Sequence, residues 1–162
     1  MDKKIIKKLE AIVGPDRCST SAVELAAYGA DSSIHFHEPE VVVQALTAEE
    51  ISEVMKLANE HKIPVVPRGA GSALCGHAVP IFGGIAMDLQ WMDEIKEVHE
   101  TDLYCVVGPG VIYAKLNAHL KPKKFFFPPA PGSGDIATIG GMVISNASGV
   151  NAVKYGDRKS VV

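Results

Sequence analysis

The sequence predicts an α+β fold, and three observations carry that expectation. Residues 41–66 run through a β-branched strand, an amphipathic helix and an apolar strand, the order of a β-α-β unit. A long glycine loop over 68–80 then separates two short strand-like runs, 64–66 and 85–89. Farther on, a strand over 103–107 feeds a helix over 111–120. At 162 residues the chain is one domain's worth, and such a chain buries roughly 70% of its unfolded surface.

Residues 2–13 open the chain with Ile5, Ile6, Leu9, Ile12 and Val13 at helical spacing and lysines on the solvated face. Gly14-Pro15 stops that helix. A polar stretch follows over 19–33, in which 22–27 forms a short helix and 28–33 a loop. His35, His37 and Glu38 are ligand types, but a zinc site needs third and fourth ligands. None stands at sensible spacing, so these are read as surface histidines and no metal is expected. The strand from Val41 leads to Thr47, which with Glu50 makes a capping box, while Leu46 and Ile51 can form the hydrophobic staple. Ile51, Val54, Met55 and Ala58 supply the buried stripe of the helix that follows, and Pro64 ends it. The crossover is expected to be right-handed. Residues 91–95 read as a turn, 97–100 as polar, and 121–124 as a solvated lysine turn.

The loop at 68–80 has to be explained, because glycine costs more backbone entropy on folding than other residues. Converging backbone N–H groups that cradle an anion would recover that cost. The dinucleotide fingerprint G-x-G-x-x-G fits Gly69 and Gly71 but finds Leu74 in place of its third glycine, and a strand instead of a helix follows. The P-loop template fits Gly71 and Gly76, then meets His77 and Ala78 where it needs Lys and Ser or Thr. A third pattern, P-R-G-x-G-[ST]-x-L-x-G, is complete in Pro67, Arg68, Gly69, Gly71, Ser72, Leu74 and Gly76. A second signature spans 125–149, where Pro129 and Pro131 stiffen the backbone, Gly140 and Gly141 permit close approach, and Thr138, Ser145 and Asn146 supply hydrogen-bonding groups. Taken alone, it reads equally well as packing turns and a helix start.

In order and wording the two segments resemble the PCMH-type FAD-binding domain of the vanillyl-alcohol oxidase and p-cresol methylhydroxylase flavoproteins. The likeness is nearest to the glycolate oxidase flavin subunit and the D-lactate and other D-2-hydroxyacid dehydrogenases. It runs from about Pro39 to Gly156 and takes in Val107-Gly-Pro-Gly-Val111 and Lys154-Tyr-Gly156. The resemblance implies FAD held in extended form between two α+β subdomains, the first complete and the second truncated. It assigns Pro67, Arg68, Gly69, Ala70, Gly71, Ser72, Ala73, Gly76 and His77 to the diphosphate, largely through backbone N–H groups. Pro129, Pro131, Ser133, Thr138, Gly140, Gly141, Asn146 and Gly149 fall to the flavin and ribityl side. It implies oxidation of a 2-hydroxy acid to the 2-oxo acid by hydride transfer to flavin, with an electron-accepting partner subunit.

The departures are Ala130 for a usual Asp, Met142 for Asn, Ser148 for Gly, and Ser72-Ala73 for Thr-Gly. Relatives with covalent flavin carry histidine where Ser72 sits, so FAD is expected to be non-covalent. Replacing Gly71 by Val is expected to fill the space the diphosphate needs. The resemblance divides the chain into a helical lead over 1–37, the FAD-binding domain over 38–156, and a tail over 157–162 that does not match and is expected to be non-native. Such enzymes continue for hundreds of residues more, so no catalytic acid or base is named, and this chain alone is expected to be inactive. A P-loop-like nucleotide-binding module and a non-catalytic fragment stand as alternatives.

Composition excludes other partners. Net charge is −3 with no basic stripe, against a nucleic-acid role, and no apolar run approaches the ~20 residues of a membrane span. Cys18, Cys75 and Cys105 are odd in number and widely spaced, which fits a reducing cytoplasm and small buried apolar roles. The expected location is cytoplasmic, with any membrane association made through partners.

Overall fold

The computed structural model of the protein describes residues 1–156; the expectation for 157–162 lies outside the described residues. Two compact units divide at Trp91 and Met92.

The first unit is built on a four-stranded sheet. Its strands are β1 (Cys18–Ser19), β2 (Val41–Gln44), β3 (Val65–Arg68) and β4 (Ile85–Asp88), in the spatial order β1-β2-β4-β3. The β-α-β unit is present, with α3 (Ala48–His61) as its crossover, but its strands are not neighbours. β4 lies between them, parallel to both, pairing Ile85 with Val41 on one side and with Val65 on the other. Central and buried on both faces, β4 is apolar except at Asp88. That continuous burial is what a parallel strand covered by helices requires.

The helix over Lys3–Val13, α1, forms as its spacing predicts. The Asp2 carboxylate accepts from the Lys4 N–H at its start, and Leu9 and Val13 are fully buried. Burying each such side chain stabilises by about 1.5–3 kcal/mol. Against α1 lies α3, whose buried positions are Val54, Leu57 and Ala58. Met55, expected inside, is 45% exposed, because the inward stripe runs through Leu57. The Thr47 hydroxyl caps α3 by accepting from the Glu50 N–H at 3.1 Å. Glu50 reaches back one residue farther than the capping box requires, to the Leu46 N–H at 2.8 Å. Leu46 remains 44% exposed, so its contribution at this helix start comes through the backbone. The short helix α2 covers Ala22–Tyr28, as expected.

The second unit opens with a hairpin of β5 (Ile95–His99) and β6 (Tyr104–Val107). The polar reading of 97–100 missed β5. A register shift between Ile95 and Glu97 breaks the two-residue alternation, so Ile95 and Val98 both face the core despite their odd spacing. Leu103, assigned to the second strand from sequence, instead makes the turn, exposed and at φ 57°. Leu116 and Leu120 of α4 (Tyr113–Leu120) pack with Val111, Ala137, Ile139 and Met142 to form this unit's core. Two short helices follow, α5 (Ile139–Ile144) and α6 (Ala152–Tyr155).

Candidate functional site

The glycine loop leaves the C-terminal end of β3, the end where open α/β sheets bind ligands. The strand runs farther than the sequence suggested. Pro67 and Arg68 belong to it, opposite Met87 and Asp88, and the Leu89 N–H donates to the Arg68 carbonyl at 2.9 Å. The loop proper therefore begins at Gly69.

From residue 69 to residue 77 no backbone N–H donates to any group of the described residues. Folded chains pair the great majority of buried backbone N–H groups with protein or water, and 69–73 is half-buried. A run of free donors is what an anion-binding nest consists of. Positive φ angles at Gly71 (65°) and Gly76 (73°) bend the loop, a conformation that side chains other than glycine's rarely adopt. Ala70, Ser72 and Ala73 keep the surface between them small, while Leu74, Cys75 and His77 are exposed. Cys75 thus departs from the buried role expected of it; of the three thiols, only Cys18 is fully inside.

Below the loop, Arg68 joins a polar cluster whose other members the sequence did not announce. The Arg68 guanidinium turns inward and donates from Nη1 to the Ala30 carbonyl at 2.6 Å, 5.2 Å above the centre of the Tyr28 ring. Tyr28 in turn donates its hydroxyl to Asp88 Oδ2 at 2.6 Å, and Asp88 is 1% exposed. Burial, then the hydrogen bond to Asp88, pushes the Tyr28 hydroxyl well above its ordinary pKa. A Cβ on Gly71 would overlap the Arg68 guanidinium. Within the protein itself, the obstacles to Gly71→Val are the arginine beneath the loop and the positive φ. No single motif could have found Tyr28 or Ala30, since they stand about forty residues from Arg68.

The second segment is mostly committed to its own packing. Thr138 is buried, and its hydroxyl accepts from the Gly141 N–H at the start of α5. A Cβ on Gly140 would strike Pro109, and one on Gly149 would strike the Ala130 carbonyl, so both glycines serve close backbone approach inside this unit. Ser145 donates to the Gly141 carbonyl at 2.8 Å. The carbonyl of Pro131 accepts from Gly134, and that of Ser133 from Ile136 and Ala137; Pro129 is buried. Asn146 differs. It adopts φ 51° after α5, and its buried Oδ1 has no partner among the described residues. A buried acceptor left open in this way fits a ligand donor.

Against known sequences, the profile of the FAD binding domain family matches residues 39–162. The chain belongs to the FAD binding domain family. Among curated relatives, the Bacillus subtilis glycolate oxidase subunit GlcD is 33% identical over 99% of this chain and 34% of its own length. The mitochondrial cytochrome-type D-lactate dehydrogenase of Arabidopsis thaliana is 35% identical over 99% of this chain and 28% of its own. The chain therefore spans about a third of these relatives. Among solved structures, substrate-bound p-cresol methylhydroxylase superposes with a TM-score of 0.78 at 26% identity, over 89% of this chain and 29% of that one. The fold is the PCMH-type α+β fold, and FAD is the cofactor of this domain. Membership retires the P-loop reading. Among the described residues no helix is long and apolar enough to cross a membrane.

Proposed function

We propose that the chain is the cofactor-holding part of an FAD-linked oxidoreductase that converts a 2-hydroxy acid, of glycolate or D-lactate type, to the 2-oxo acid. The observation that supports the cofactor role is the unbroken set of free N–H donors over 69–77. Pro67, Arg68, Gly69, Ala70, Gly71, Ser72, Ala73, Gly76 and His77 form the diphosphate side of the site. Pro129, Pro131, Ser133, Thr138, Gly140, Gly141, Asn146 and Gly149 are assigned to the flavin and ribityl side, where the open Asn146 Oδ1 would accept from a cofactor donor. When bound, FAD supplies the ring that takes hydride from the substrate carbon. The residues of this chain hold that cofactor and shield its charge; the acid, base and substrate contacts lie elsewhere in a protein of the relatives' length.

Ser72 in place of a histidine supports non-covalent attachment. The substrate class rests on the relatives' names, and a partner subunit on one of them being called a subunit. Three free thiols support a reducing compartment such as the cytoplasm. Residues 38–156 constitute the FAD-binding part and 1–37 its lead.

Two measurements test this. FMN lacks the diphosphate bridge to adenosine, so the chain should bind FAD and be competed by ADP while taking FMN more weakly; equal affinity for FMN would remove the loop from the site. A protein of the relatives' full length carrying these residues should show a flavin spectrum that glycolate or D-lactate bleaches without oxygen. A colourless protein unable to take up FAD would end the proposal.

A further inference from the structure

We infer that Arg68 is a positioning residue. Its side chain, clamped by residues 28–32 from outside the matched family segment, holds the 69–77 loop in its donor-presenting shape and places a positive charge beneath it. The inference rests on the diphosphate role proposed above and deepens it.

Three contacts tie that N-terminal stretch to the loop. The Arg68 Nη1 donates to the Ala30 carbonyl at 2.6 Å and, longer, to that of Tyr28 at 3.4 Å. The Ser32 N–H donates to the Gly71 carbonyl at 3.1 Å. A Cβ on Gly76 would stand 3.0 Å from the His35 ring. The stretch is itself braced: Ala30 bridges Phe36, the His37 N–H donates to Gly29, and the Ser33 N–H donates to Asp31 Oδ1.

The charge of Arg68 is unusual in where it is balanced. The guanidinium is half-buried, yet it forms none of the ion pairs of the described residues; its partners are carbonyls and an aromatic face. Asp31 and Asp88 act on it only at longer range. A desolvated cation without a carboxylate partner is costly to keep. An anion held by the loop above would supply what is missing, with the field of the arginine acting through Gly71. Because Nη1 is engaged by Ala30 and the group lies against Gly71, the side chain works through the loop. A lysine is a point charge without the planar fork, so it cannot serve as the same clamp.

The test uses the 162-residue chain, Arg68→Lys, Tyr28→Leu and the double variant. FAD affinity is measured by flavin fluorescence at a temperature where circular dichroism shows each chain folded. Chymotryptic cleavage after Leu74 is mapped by mass spectrometry without cofactor. The expectation is that each single variant weakens FAD binding about tenfold, as loss of a charge-assisted bond implies. The double variant should be little worse than either single one, because both break one clamp. Cleavage after Leu74 should accelerate by about the same factor, since it reads the opening of the same loop. Wild-type affinity in Arg68→Lys would show that charge alone matters, and unchanged cleavage in Tyr28→Leu would show that the clamp holds nothing; either result overturns the inference. Should the unsubstituted chain bind no FAD, the functional proposal fails for this chain, and cleavage after Leu74 alone decides the positioning role, faster upholding it and unchanged overturning it.

Discussion

At Gly71 two independent constraints meet: a backbone φ of 65°, and a guanidinium where a Cβ would go. Valine there must relieve both, and strain at one such residue costs about 1–3 kcal/mol. Gly71→Val is expected to abolish measurable FAD binding while the sheet remains folded by circular dichroism. Gly84 faces a comparable constraint for a purely structural reason, with φ 76° and the Pro64 carbonyl in the way of any Cβ. Gly84→Ala should therefore lower stability by at least about 2 kcal/mol in urea unfolding and leave loop chemistry alone. The thiols separate by environment. Burial, reinforced by Glu10, pushes Cys18 up to about 11, whereas Cys75 is exposed. At pH 8 a thiol reagent should modify Cys75 promptly and Cys18 only after denaturation; fast reaction of Cys18 would contradict its burial in the core of the first unit.

One element start carries a pH signature. The hydrogen bonds from Arg17 hold the Glu50 carboxyl below its ordinary 4.5, against the opposing effect of its burial, with the Leu46 and Thr47 N–H groups assisting. Arg17 meets it in a forked pair, Nη2 to Oε1 at 2.6 Å and Nη1 to Oε2 at 2.8 Å. A lowered folded-state pKa stabilises above the unfolded value and loses that contribution as pH falls through the folded one. Stability should thus decline below pH 4.5, and Glu50→Gln should cost about 1–3 kcal/mol at pH 7 while flattening that acid limb. An unchanged acid limb in the variant would show the pair to be idle. The elements legible in the sequence were α1, α2, α3, α4, β2, β3, β4 and β6, each carried by a local apolar pattern. β5 was illegible because its bulge mixes the faces, and β1 because two residues set no pattern.

For the molecule as a whole, the fold and cofactor were legible because two glycine-bearing segments each kept a specific wording. The scaffold of the loop was not, because Tyr28, Ala30 and Ser32 act through a ring face, a carbonyl and an N–H that no spacing ties to a loop about forty residues on. Likewise the packing duties of Gly140 and Gly149 depend on Pro109 and Ala130, which spacing alone does not bring together.

The most direct measurement is a titration of the purified chain with FAD, in parallel with Gly71→Val. Saturable binding in the micromolar range or weaker, competed by ADP and lost in the variant, is the predicted result. No saturation up to about 1 mM, or equal binding by Gly71→Val, would contradict the assignment of the free N–H groups of 69–77 to the cofactor's diphosphate.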